Sequence, residues 1–98
     1  MQFENRKVVL FHGVADLRKG AVGLLAFVGR LEPGVWYFFS NRSRSLLKCV
    51  CRDEGGIWLA TKRLDRGCFH WLESPQGSSV LSAQQVADLC SGSEQKFF

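Results

Sequence analysis

Residues 36–63, WYFFSNRSRSLLKCVCRDEGGIWLATKR, decide the fold. WYFFS is a run of aromatics that reads as a central strand. NRSR is a turn carrying charge. SLLKCVCR alternates side chain by side chain, as a strand does. DEGG holds two glycines that accept positive φ, and IWLATKRL is a further strand. Short turns between such strands predict an antiparallel meander. Continued back through the turn, the period of two sets Arg42, Arg44, Lys48 and Arg52 on one face. Ser43, Ser45, Leu47, Cys49 and Cys51 fall on the other.

Outward from this stretch, KVVLFHG (7–13) is a first short strand. In the segment that follows, Leu17, Ala21, Leu24, Leu25 and Val28 share one stripe of a 3.6-residue period. Asp16 stands at its N-cap or first turn, and Gly20 and Gly23 weaken it. LEPG (31–34) ends it. CFHW (68–71) reads as the last strand of the meander. SAQQVADLCSG (82–92) reads as a helix capped by Ser82 and Gly92, and SEQKFF (93–98) as a tail. The expectation is one α+β domain over 1–98, with its core at about 8–92. It has an antiparallel meander of four or five strands, two helices on one sheet face, and the order β-α-β-β-β-β-α.

Ninety-eight residues, 46% hydrophobic and 22% charged, suit one globular domain rather than a disordered chain. The formal charge of +4 permits nucleic acid, an acidic partner or an anionic surface. No run is apolar enough to span a membrane or to act as a signal peptide, so a cytoplasmic location is expected. The four cysteines are then expected to be thiols.

Two motifs carry a resemblance. DLRKGAVGL (16–24) has the form Asp-x-Arg-Lys-Gly-x-x-Gly-Leu. KRLDRGCFHW (62–71) has the form Lys-Arg-Leu-acid-x-Gly-x-Phe-x-Trp. Between them lie an aromatic strand and the basic NRSRSLLK. In this order the chain resembles the small accessory protein encoded by the second open reading frame of insertion-sequence-66-type elements. That protein is sometimes called TnpB and is unrelated to the RNA-guided nuclease of the same label. CVCRD departs from the family, which ends that strand in aromatics. The resemblance implies a non-catalytic helper of transposition, beside a larger transposase that carries the acidic catalytic residues. It leaves open DNA binding, transposase binding, self-association and a repurposed stand-alone role.

Seven of the 13 cations lie between positions 42 and 66: Arg42, Arg44, Lys48, Arg52, Lys62, Arg63 and Arg66. Like charges on one sheet face repel, so such a face gains from an external anion, and a phosphate backbone releases counterions on binding. Arg18 and Lys19 add a candidate contact, or an ion pair with Asp16. The expected ligand is nucleic acid, held weakly and with little sequence preference. A solvated outer face explains the same residues without a ligand.

Cys49 and Cys51 share a strand face, as do Cys68 and His70. One-residue spacing on a strand is poor zinc geometry, and buried thiols act as small hydrophobes, so no metal and no cofactor are expected. His12 near Asp16, and Cys68 beside His70, supply no set of nucleophile, base and orienting group, so no enzyme is expected. Trp36, Tyr37, Phe38 and Phe39 alternate around their strand. Two of them face the core, and the other two either pack under a helix or stack on bases.

Overall fold

The computed structural model describes residues 6–71 and 77–92. Five strands form one sheet: β1 (Val8–Val14), β2 (Trp36–Ser40), β3 (Leu46–Asp53), β4 (Gly56–Arg63) and β5 (Ser78–Leu81). A 3-10 turn (Leu17–Lys19) runs into α1 (Gly20–Leu25), and α2 (Ala83–Cys90) follows β5. The domain is α+β and the chain order is the expected one. The spatial order is β4-β3-β2-β1-β5.

The sheet is mixed rather than antiparallel. β1 and β2 run parallel, Val8 beside Trp36 and Leu10 beside Phe38, while every other pair is antiparallel. A helical crossover separates β1 from β2, and a crossover of that length returns the chain to the end where it started. Read as a βαβ unit, residues 8–40 already demand the parallel pair.

The helices lie on opposite faces, not on one. On one face Leu17, Leu24 and Leu25 pack over Tyr37, Phe39 and Val50. On the other, Val86 and Leu89 of α2 pack over Val8, Leu10, Trp36, Phe38, Leu47 and Cys49. This is why all five residues of β2 are buried. A strand covered on both sides reads as a continuous apolar run, and WYFF is one. None of its aromatics is left outside for a base to stack on. Phe11 stacks on Phe39 with ring centroids 5.1 Å apart.

CFHW is not a strand. Phe69 and Trp71 turn into the core beside α2 without joining a ladder. The fifth strand is SSVL, which pairs antiparallel with β1 through Val8–Leu81 and Phe11–Ser78. The expected 93–98 tail lies outside the described residues.

The start of α2 follows its sequence signal, whereas the Asp16 cap serves the 3-10 turn, and α1 both starts later and stops earlier than its apolar stripe. Asp16 caps the 3-10 turn by accepting from the Arg18 N–H. Gly20, at φ 75°, breaks the path between that turn and α1. Residues 26–30 leave the helix, although Val28 still reaches the same core. α2 carries a full capping box: Ser82 Oγ accepts from the Gln85 N–H, and Gln85 Oε1 accepts from the Ser82 N–H. Ser82→Ala removes half of that box and is expected to lower unfolding free energy by about 1 kcal/mol, read from denaturant midpoints.

Candidate nucleic-acid interface

The seven cations do not form one face. Arg42 and Arg44 lie in the turn between β2 and β3, not on a strand, so the period of two does not carry through them. Asn41 Oδ1 closes this turn by accepting from the N–H groups of Ser45, at 3.1 Å, and Leu46, at 3.3 Å. An asparagine that folds its own backbone favours a turn over a strand.

Arg44 is committed to the fold. Its φ is 55°, unusual for a residue with a Cβ. Its carbonyl accepts from the Phe69 N–H at 2.6 Å. Its guanidinium carbon sits 3.9 Å from the Trp71 ring centroid, and Nη1 donates to the Trp71 carbonyl at 3.2 Å. Lys48 is also engaged: Nζ donates to the Leu17 carbonyl at 3.0 Å, tying β3 to the 3-10 turn. Arg18 closes on Asp16 through two hydrogen bonds, Nε to Oδ1 at 2.9 Å and Nη2 to Oδ2 at 3.0 Å. Lys19 lies 4.6 Å over the Phe27 ring. Arg52 stands near the far end of β3, opposite Ile57.

The remaining cations converge. Leu46 pairs with Arg63, Leu47 pairs with Lys62, and the Leu64 N–H donates to the Ser45 carbonyl. These contacts hold the 41–45 turn against the end of β4 and the loop after it. Arg42, Lys62, Arg63 and Arg66 are all exposed at this end of the sheet. Asp65 is the acid among them, and no ion pair among the described residues engages any of the four. Lys62 and Arg63 point to opposite faces, so the basic surface wraps the end of the sheet rather than lying across it.

The ionisable groups elsewhere suit structure. Burial pushes the Cys49 thiol far above its usual range, with the Cys90 thiol adding to the effect. Burial likewise raises Cys90 and Cys51. Cys49 and Cys51 are therefore core thiols, facing the α2 side of the sheet. Cys68 Sγ is 4.0 Å from His70 Nε2. Among the described residues no three of His, Cys, Asp and Glu cluster as metal ligands. No helix there is long and apolar enough to cross a membrane.

One pairing has no signal in the sequence. His12 Nε2 meets Ser79 Oγ at 2.6 Å, although the residues lie in strands far apart in the chain. His12 Nδ1 is buried without a hydrogen-bond partner among the described residues. Burial, and secondarily the charge of Arg44, holds its pKa below the ordinary 6.5. As pH falls through that value, the unfolded chain takes up a proton that folded His12 resists, so stability falls. Thermal unfolding between about pH 7 and 5 is expected to show a decline that His12→Gln flattens. The Asp16 carboxyl, hydrogen-bonded to Arg18, is lowered from 3.8 to about 2. Its contribution is complete above the unfolded value and is lost as pH falls toward 2.

Comparison with known proteins agrees with the architecture of the motifs. The chain is 38% identical over 94 residues to the uncharacterized protein y4hO of Sinorhizobium fredii (strain NBRC 101917 / NGR234), an alignment covering 91% of this chain and 82% of that protein. No solved structure matches. The model of the family described as IS66 Orf2 like protein matches residues 6–97, from before β1 to beyond α2. With both motifs, the aromatic strand and the basic turn inside that match, the chain belongs to the IS66 Orf2-like family.

Proposed function

We propose that this accessory protein of a transposable element binds nucleic acid through the basic end of its sheet, weakly and with little sequence preference. The observation that carries the reading is the convergence of Arg42, Lys62, Arg63 and Arg66, exposed and outside any ion pair among the described residues. Phosphates spaced along a backbone neutralise such a cluster and release counterions. Base-specific readout needs side chains fixed on an element that enters a groove. These four stand on a turn, a strand end and a loop, which suits phosphate contact. No step of chemistry is assigned to the chain. His12 and Ser79 lack the third, orienting group of a triad among the described residues, and the core thiols are held protonated.

The test is a titration of labelled duplex and single-stranded DNA and RNA against wild type and two variants. Arg42→Ala/Arg63→Ala/Arg66→Ala is expected to weaken binding at least about tenfold on every sequence, since each lost phosphate contact acts independently of base identity. Arg52→Ala, at the opposite end of β3, is expected to change it by less than about twofold. Equal losses in the two variants, or no binding at low salt, would leave the basic end as solvated surface. The helper role would then rest on protein contacts, with the element's transposase as the first partner to examine.

A further inference from the structure

We propose that β4 is the interface of a two-fold dimer, pairing antiparallel with β4 of a second copy of this chain. β4 is an edge of the sheet, and its eight residues pair with β3 without a bulge from Asp53–Gly56 to Leu46–Arg63. The other edge, β5, is only four residues long. The Leu64 N–H points to Ser45 on the β3 side. By alternation, the N–H and C=O groups of Ile57, Leu59, Thr61 and Arg63 point away from β3, to an edge that no strand among the described residues covers. Proteins usually blunt such an edge with proline, a bulge, inward charge or charged side chains along it, and β4 has charge only at its last two residues, Lys62 and Arg63. Residues 56–61, GIWLAT, carry none of these. Trp58 and Leu59 are instead exposed large apolar side chains on opposite faces, at 54% and 44%. The Trp58 indole is held in place by its N–H donating to Asp53 Oδ2.

The distribution of charge selects the occupant and its direction. The β4 edge begins at the acidic turn, with Asp53 and Glu54, and ends at the basic segment Lys62, Arg63 and Arg66. A strand of like charge throughout would repel its own copy. This one is acidic at its start and basic at its end, so antiparallel self-pairing sets each acidic turn beside the other copy's basic segment. Parallel pairing would set like against like. With the two-fold axis at Ala60, Ile57 faces Arg63 of the second copy and Leu59 faces Thr61. All outward backbone groups are then satisfied within the set. On the α2 side, the same register lays Lys62 over Trp58 of the second copy, a cation–π arrangement.

Sedimentation of the full chain without nucleic acid, from about 5 μM to 1 mM, tests the dimer. An edge pairing of this size falls in the weak range, so wild type is expected to shift from monomer to dimer across that span. Thr61→Pro removes only an outward N–H and is tolerated on an edge strand, yet is expected to leave a folded monomer. Glu54→Lys and Arg66→Glu are each expected to weaken the dimer roughly tenfold at low salt. Mixing the two variants restores both cross-copy contacts and is expected to return the wild-type affinity, a result that loss of folding cannot produce. Monomer throughout at 1 mM would overturn the proposal. So would a dimer that ignores Thr61→Pro, or one that the mixed variants fail to restore.

Discussion

Trp71→Ala is expected to lower unfolding free energy by about 3–5 kcal/mol, the usual cost of emptying a large aromatic site in a core. Trp71 is 1% exposed, and it lies in a segment with no ladder to hold it. Its indole N–H donates to the His12 carbonyl at 3.2 Å, which joins residues 68–71 to β1. Arg44 covers the ring and binds the Trp71 carbonyl. Truncation therefore leaves a cavity, removes the indole hydrogen bond to β1 and leaves a guanidinium without its ring. Small domains have only about 5–15 kcal/mol of total stability, so the variant sits near its unfolding threshold. Denaturant unfolding of Trp71→Ala, Arg44→Ala and the double variant measures the coupling, expected at about 1 kcal/mol, since the cation–π contact is shared by the two side chains while the carbonyl of residue 71 stays in the alanine variant. A cost below about 1 kcal/mol for Trp71→Ala would mean that the segment is not part of the cooperative core. Additive single costs would mean that Arg44 is not what holds it.

Raising salt from about 50 to about 200 mM is expected to weaken nucleic-acid binding about 100-fold. Affinity falls with salt at a logarithmic slope near −0.9 per phosphate neutralised on duplex DNA. In the monomer four exposed cations outside any ion pair among the described residues, Arg42, Lys62, Arg63 and Arg66, set the slope near about −3.6. Arg44 and Lys48 keep their charge but are expected to add little to it, because their charged groups are held against Trp71 and the Leu17 carbonyl rather than free to reach a phosphate. The Arg42→Ala/Arg63→Ala/Arg66→Ala variant is expected to flatten the slope by about 3. Isothermal titration or anisotropy at several salt concentrations reads both quantities. A slope that stays steep in the variant would move the phosphate contacts to Arg18, Lys19 or Arg52. A slope near zero would mean that the contact is not electrostatic.

Strands and helices were legible where the local pattern was undisturbed by distant partners. SLLKCVCR alternates and became β3, and the segment that Ser82 caps became α2. The stripe of Leu17, Ala21, Leu24, Leu25 and Val28 was realised only in part, since Leu17 lies in the 3-10 turn and Val28 beyond the end of α1, although both reach the same core. CFHW misled because its aromatics are as apolar as a strand's. Whether they pair or plug depends on Arg44, whose carbonyl and guanidinium receive them from 25 and 27 residues away in the chain. SSVL carries too little hydrophobicity to announce a strand, and it becomes one because β1 offers it an open edge.

The basic residues divide in the same way. Composition and local pattern were enough to gather cations on the segments around NRSR and KRLDR, to give one α+β domain, and to make Cys49 and Cys51 packing groups. Which cations remain free was decided only by tertiary structure. The parallel return of β2 through α1 brings the Leu17 carbonyl to Lys48, and the hairpin of β3 and β4 sets Arg63 beside the turn that carries Arg42. A side chain's charge is fixed by its covalent chemistry. Its availability depends on whether a carbonyl or an aromatic face from elsewhere in the chain reaches it first, and no local pattern encodes that distance.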